Sequence, residues 1–213
     1  YIFDVFKDVN GSVWIATFTG LNRFENNLAK FITKSIYENG TLLSINYFLE
    51  MNDGNVLIGT ESGIKVFNTN DESIRDFKTF FKSKENYFES LYIYSFYLDT
   101  DSCLWVGTRD SGLYIYDIKS DKVTDVSEEL DIKKLNHAVV REMVCDEFGN
   151  FWVATNVGLC CINLKDNSYV FYNHDKKDKK SIPHDDIFDL MLSDDLLYVT
   201  TGDGLAVYDY KSD

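Results

Sequence analysis

The chain has 213 residues, 45% of them hydrophobic and 15% aromatic, enough to bury one large all-β domain or two small ones. Its 21 basic and 35 acidic residues give a formal net charge of −14, a surface that repels phosphate backbones and anionic lipid heads and so argues against nucleic acid as a partner. No run of 18 apolar residues occurs, so no membrane insertion is expected within this segment.

Read from the start, the chain opens inside an apolar strand, Ile2 to Phe6, as an excised piece of a longer protein would. A hairpin turn at Asn10-Gly11 follows. A second strand then carries Trp14-Ile15-Ala16-Thr17, and Gly20-Leu21 opens a third. A shorter, more polar fourth strand is expected from Ala29 to Thr33. The same order returns with Ile45 to Leu49, the turn Asp53-Gly54, Leu57-Ile58-Gly59-Thr60, Gly63-Ile64, and Ile74 to Phe77. A third copy runs through Ile93 to Leu98, Trp105-Val106-Gly107-Thr108, Gly112-Leu113 and Lys122 to Val126. A fourth holds Val139 to Val144, Gly149-Asn150, Trp152-Val153-Ala154-Thr155, Gly158-Leu159 and Ser168 to Tyr172. The last has Ile187 to Leu192, Tyr198-Val199-Thr200-Thr201 and Gly204-Leu205, and stops after its third strand at Tyr208-Asp209-Tyr210.

The anchors at 14, 57, 105, 152 and 198 are spaced 43, 48, 47 and 46 residues apart. A repeat of that period with four short strands per copy predicts an all-β fold of β-propeller blades. The copies occupy approximately 1–40, 41–84, 85–132, 133–180 and 181–213 of a single propeller segment. The incomplete last copy predicts an unclosed or self-associated set of blades within a larger propeller, because blades stabilise one another only through neighbours.

Asp146-Glu147-Phe148-Gly149-Asn150-Phe151-Trp152-Val153-Ala154-Thr155, followed by Gly158-Leu159, resembles the two-component regulator propeller repeat. The link Tyr172-Asn173-His174-Asp175 to Ser181-Ile182-Pro183-His184-Asp185-Asp186-Ile187 is similar to the inter-blade connection of that family. Departures are Leu57 and Tyr198 for the Trp, Ser102 and Asp195 for the turn glycine, and Thr200 for Gly or Ala. The resemblance implies the periplasmic sensor region of a bacterial hybrid two-component histidine kinase. It further implies a non-catalytic module, an oligosaccharide ligand, and partnership with a second copy or with the remaining blades of the parent sensor. A glycoside-active propeller enzyme and a protein-interaction scaffold stand as the alternatives.

Propeller glycosidases use two or three acids near the axis, and Asp4, Glu50, Asp99, Glu142 and Asp189 lie on first strands, yet acids beside hairpin turns also serve turn geometry. His137, His174 and His184 stand far apart in sequence with no second ligand at a standard offset, so no metal is expected. No glycine-rich loop opens a helix, so no phosphate cradle and no cofactor is expected. Cys103, Cys145, Cys160 and Cys161 form no C-x-x-C pair and read as packing cysteines. A Cys103–Cys145 disulfide stays open, and adjacent Cys160 and Cys161 are expected on opposite faces of a strand. Lys176-Lys177-Asp178-Lys179-Lys180 reads as a solvated loop.

In a propeller the links between blades and the turns between second and third strands share one face. Those turns offer Phe18, Glu61, Arg109, Asp110, Asn156 and Asp203, and the links offer Asn46, Tyr92, Tyr94, His137 and His184. The ligand-binding residues predicted from this face are Arg109, Asp110, Tyr92, Tyr94, His137 and Asn156. Arg109 leads because its turn is one residue longer than its counterparts, and a guanidinium binds a carboxylate in bidentate fashion. Aromatic rings such as Tyr87, Phe88, Tyr92 and Tyr94 stack on sugar faces, although core packing also uses them.

Overall fold

The structure is a computed structural model that describes residues 1–25, 30–51 and 54–211. Of the positions read above, Ala29 and Asp53 lie outside the described residues.

The fold is all-β, built of antiparallel propeller blades. The first sheet contains β1 (Ile2–Lys7), β2 (Val13–Thr17), β3 (Gly20–Glu25) and β4 (Lys30–Lys34) in that order. A small hairpin of β5 (Tyr37–Glu38) and β6 (Thr41–Leu42) leads to the second sheet: β7 (Ile45–Glu50), β8 (Asn55–Thr60), β9 (Gly63–Asn68) and β10 (Ile74–Asp76). A helical turn α1 (Phe77–Phe81) precedes the third, with β11 (Ile93–Leu98), β12 (Cys103–Thr108), β13 (Leu113–Asp117) and β14 (Lys122–Asp125). After α2 (Val126–Glu129) come β15 (Val140–Cys145), β16 (Asn150–Thr155), β17 (Gly158–Asn163) and β18 (Tyr169–Tyr172). Three strands form the described part of the fifth sheet: β19 (Ile187–Ser193), β20 (Leu196–Thr201) and β21 (Gly204–Asp209).

The sequence pattern carried the second and third fourth strands on to Phe77 and Val126, whereas each strand ends one residue earlier and turns into a helix. The cause at α2 is Asp125, whose carboxylate caps the turn by accepting from Ser127 N and Glu128 N. At α1, Phe77 is drawn into a cluster with Phe81, Phe88 and Tyr116.

Two local devices explain the repeat. In all five copies the threonine closing the second strand donates its hydroxyl to the carbonyl of the glycine that opens the third, at 2.6–3.0 Å. The same Oγ1 accepts the backbone N–H of the residue preceding that glycine, or its nearest turn neighbour, at 3.0–3.3 Å. The glycine itself is required at positive φ and by space: a Cβ on Gly63 would sit 2.6 Å from the Phe88 carbonyl oxygen. The second device is an aspartate six residues before each tryptophan. Asp8 Oδ1 accepts from Asn10 N and Ser12 N, while Oδ2 accepts from Trp14 Nε1 at 2.8 Å. Asp146 repeats this with Phe148 N, Asn150 N and Trp152 Nε1. Where the anchor is Leu57 or Tyr198, the sixth residue back is Met51 or Leu192. Aspartate and tryptophan therefore come as a pair. Ser102 and Asp195, which stand where glycine was expected, take positive φ of 72° and 70°.

Contacts divide the chain into two compact units: Tyr1–Leu104 with Tyr116–Val123, and Trp105–Ile115 with Thr124–Asp213. In the first, Trp14, Ala16 and Leu21 meet Phe48, Val56, Ile58 and Phe67 of the second sheet, closed by Ile36 and Leu43 of the link. In the second, Trp152, Ala154 and Leu159 meet Leu190, Leu197 and Val199 of the fifth sheet. First strands touch within each unit, β1 with β7, β7 with β11, and β15 with β19. A register shift in these strands leaves Asn46 and Arg141 unpaired at equivalent places. Each then reaches the next blade, Asn46 Nδ2 to Ile93 O at 3.1 Å and Arg141 Nη1 to Ile187 O at 2.7 Å.

Trp14, Leu57, Trp105 and Trp152 are buried as their shared position predicts, but Tyr198 is half-buried. Its register with Met191 and Val207 puts it on the side of the fifth sheet opposite the Leu197–Val199 core. Met191 and Val207 beside it are exposed.

Candidate functional site

Four of the five second-to-third-strand turns are tied to an inter-blade link by backbone bonds. Gly63 N donates to Leu91 O, Gly112 N to Ala138 O, Gly158 N to Asp185 O and Gly202 N to Asp186 O. Turns and links thus form one continuous local surface in each of these blades, because the glycine amide has no ladder partner at the turn and takes one from the link.

The second unit brings four of the predicted residues together. Arg109 and Asp110 lie exposed in the longer turn, where Ser111 Oγ donates to Asp110 Oδ1. His137 Nδ1 lies 3.2 Å from Asp110 O. Its φ of 60° is in the left-handed region, which is uncommon for a residue with a Cβ. Asn156, from the next turn, receives Val139 N on its side-chain oxygen at 2.9 Å and donates its own N–H to Val139 O at 3.3 Å. The link 137–139 is therefore held between two turns, with Arg109, Asp110, His137 and Asn156 exposed around it. Tyr92 and Tyr94 belong to the first unit, half-buried and packed edge to face on each other at 5.3 Å.

Other aromatic candidates prove structural. Phe88 is buried, and Tyr87 OH donates to Asp121 O. Asp121 also accepts from Ser83 Oγ, Tyr116 OH and Lys84 N, and these bonds hold its carboxyl below the ordinary range. Burial, aided by the Asp121 carboxylate, pushes Tyr116 up to about 12. Four of the five first-strand acids weighed above, all but Glu50, accept backbone N–H groups. Asp4 accepts from Val5 N and Phe48 N, Asp99 from Asp101 N and Cys103 N, Glu142 from Met143 N, and Asp189 from Leu190 N.

All four cysteines are free thiols, so the Cys103–Cys145 bridge is not formed. Burial pushes Cys160 and Cys161 up to about 12, which keeps them protonated. Their opposite faces follow from register, Cys160 beside Val153 and Cys161 beside Trp152. Among the described residues, no group of three or more His, Cys, Asp or Glu is arranged to hold a metal ion, and no helix is long and apolar enough to cross a membrane.

The sequence reading did not find a cavity of about 400 Å³ in the second unit, walled by Trp152, Leu159, Tyr172, Ile182, Ala206 and Tyr208. Trp152, Tyr172 and Tyr208 lie 5.6–5.9 Å apart, ring to ring. The only signal in the sequence was the substitution of a small residue, Ala206, where the second copy has Lys65.

Residues 87–110 match the model of the two component regulator propeller family; this is the third copy rather than Asp146–Leu159. No curated protein matches the chain. Among solved structures, the extracellular domain described as that of a one component system from B. thetaiotaomicron is similar at TM-score 0.72 and 16% identity, over 92% of this chain and 26% of that one. The extracellular domain described as that of a hybrid two component system from the same organism gives TM-score 0.70 and 17% identity, over 97% and 26%. A gluconolactonase from Xanthomonas campestris gives TM-score 0.64 and 10% identity, over 97% and 71%. These likenesses establish the β-propeller fold. The chain spans about a quarter of the length of the first two.

Proposed function

We propose, from a chain that carries a two component regulator propeller repeat, that this protein is a ligand-sensing propeller segment of a signalling receptor and is itself non-catalytic. The observation that carries the reading is the family match over 87–110, which includes Trp105-Val106-Gly107-Thr108 and runs into Arg109-Asp110. The division into blades near residues 40, 84, 132 and 180 is part of the proposal, as are an extracytoplasmic, periplasmic location and a histidine kinase elsewhere in the parent. The ligand is an oligosaccharide, docked on the turn-and-link surface around Arg109, Asp110, His137 and Asn156 of the second unit; on the first unit, Tyr92 and Tyr94 are proposed separately as ligand contacts. The exposed guanidinium in the longest turn supports an acidic sugar, since it matches a carboxylate bidentately. A second copy, or the remaining blades of the parent, is the protein partner.

The similarity to a gluconolactonase favours a second reading, an enzyme. Against it, the first-strand acids Asp4, Asp99, Glu142 and Asp189 accept backbone N–H groups, a structural use of carboxylates. Calorimetry of the intact protein against acidic and neutral oligosaccharides, with chromatography of the mixtures afterwards, separates the two. Binding without cleavage, weakened by Arg109→Ala, is the expected result. Cleavage products, or no binding by any glycan, would overturn the sensor reading.

A further inference from the structure

The cavity between the fourth and fifth sheets exists for a reason that the repeat makes visible. Ala206 lies opposite Val199, one residue past the anchor Tyr198. Its counterpart Lys65 lies opposite Ile58, one past Leu57. Lys65 is buried and pairs with Glu38 of the preceding link and with Asp76 of β10. A methyl group stands where that long side chain would be, and the space is left lined by Trp152, Tyr172 and Tyr208.

The link 173–186 borders this space, with Asn173, Asp178, Lys180, Ser181 and Ile182 among its walls. In a chain of net charge −14 it holds four lysines within five residues. Its acids are turned onto protein groups: Asp175 and Asp178 accept Lys177 N and Lys180 N, Asp185 accepts His174 N and Asn173 Nδ2, and Asp186 pairs with Arg141. Those carboxylates keep their charge, so the link by itself is balanced, four lysines against four aspartates; Arg141 on Asp186 and Lys134 on Asn173 add two cations, which leaves the link and its contacts with an excess of positive charge. Its neutral polar groups are engaged as well. Asn173 donates to Val157 O and accepts from Lys134 Nζ, while Ser181 Oγ accepts Asp175 N and lies 2.8 Å from Asp178 O. A ligand rich in hydroxyls would leave many of them without partners against such walls, which costs affinity. A flat apolar ring with a single negative charge meets no such penalty.

We infer that the cavity walled by Trp152, Tyr172, Ala206 and Tyr208 beneath the lysine-bearing link is a binding site for a small aromatic carboxylate. Its volume of about 400 Å³ lies in the usual range for small-molecule sites. Arg109, Asp110, His137 and Asn156 are not among its walls, so it is independent of the sugar surface proposed above and stands or falls separately.

The test is titration of the intact protein with phenylacetate, its neutral amide and glucuronate, followed by calorimetry and tryptophan fluorescence. Phenylacetate should bind. The amide should bind roughly two- to fivefold more weakly, the scale of one partly exposed charge pair, and glucuronate, which keeps the charge but lacks the flat apolar ring, more weakly than phenylacetate or not at all. Ala206→Phe, which fills the space, should abolish phenylacetate binding. Lys180→Gln, a surface change that keeps the fold, should weaken it by a similar two- to fivefold step. No phenylacetate binding, equal binding of the amide, stronger binding of glucuronate, or binding indifferent to both substitutions would each overturn the inference.

Discussion

The junction between the first and second blades and the junction between the fourth and fifth share the same frame and are finished differently. In the first, Trp14 packs on Phe67 at 4.8 Å, and Arg23 and Lys34 lie over those rings while both meet Glu72. In the second, Trp152 packs on Tyr208 at 5.6 Å, but Cys161 takes the place of Arg23 and Tyr172 that of Lys34. Long cations with apolar stems cover a ring and reach a carboxylate beyond it; a thiol and a phenol cannot. The repeat supplies the frame, and the residues beside the anchor decide whether the wedge is sealed or open.

Truncating the anchors probes that difference most strongly. Trp14→Ala should cost roughly 3–5 kcal/mol in denaturant unfolding, and Trp152→Ala should fall at the lower end of that range because it enlarges an existing space. A larger loss at Trp152 would mean that the two junctions are packed alike. Next comes the carboxylate under each tryptophan. Asp8→Ala leaves two backbone N–H groups and an indole N–H without their acceptor, a loss of about 2–3 kcal/mol. Asp146→Ala should match it, since this device is common to both junctions.

Removing the seal is a smaller perturbation. Glu72→Gln should destabilise by about 0.5–1 kcal/mol at low salt and by less at high salt, because the group is partly exposed. No salt effect on the difference would show that the ions contribute only through their stems. The mildest effects are pH limbs of opposite direction. At the first junction, burial lowers the Lys65 pKa, but Asp76 and Glu38 outweigh it and hold it above 10.5. Its contribution is complete below the unfolded value and is lost as pH rises through the folded one. At the second junction, burial raises the Asp185 pKa, yet bonds from His174 N and the Asn173 amide bring it below 3.8. That contribution is present above the unfolded value and is lost as pH falls through the folded one. Thermal melts should therefore lose an alkaline component in Lys65→Met and an acid component in Asp185→Asn. Unchanged limbs in both variants would remove the electrostatic contrast.

Much of this frame was legible in the residues. Trp14, Leu57, Trp105 and Trp152 announced buried second strands because alternation and a fixed turn leave an anchor one place to go. The five Thr–Gly pairs announced the turns, since the clip is made within four residues. The pairing of Asp8 with Trp14 and of Asp146 with Trp152 stood in the sequence too, but its meaning appeared only when one carboxylate was seen to take both the hairpin amides and the indole. Of the candidate site, the nearness of Arg109 and Asp110 was given by the chain and the shared face of His137 and Asn156 by the order of the strands; the bonds that hold the link 137–139 between the two turns were not legible there.

The sequence by itself determined the blades, because each is made by contacts between residues close in the chain, a strand, a two- or three-residue turn and its return. Only the tertiary structure decided which face of each blade is covered and where space remains. Tyr198 keeps the strand register and the Thr–Gly turn of the other anchors and is still half-buried, since burial depends on what lies across the face and not on the strand that carries it. Ala206 is unremarkable within its own strand; it opens a cavity only because Tyr172, Trp152 and the link 173–186 meet across from it. Shape between blades is set by side chains some 40 to 60 residues apart, and no local pattern records their sum.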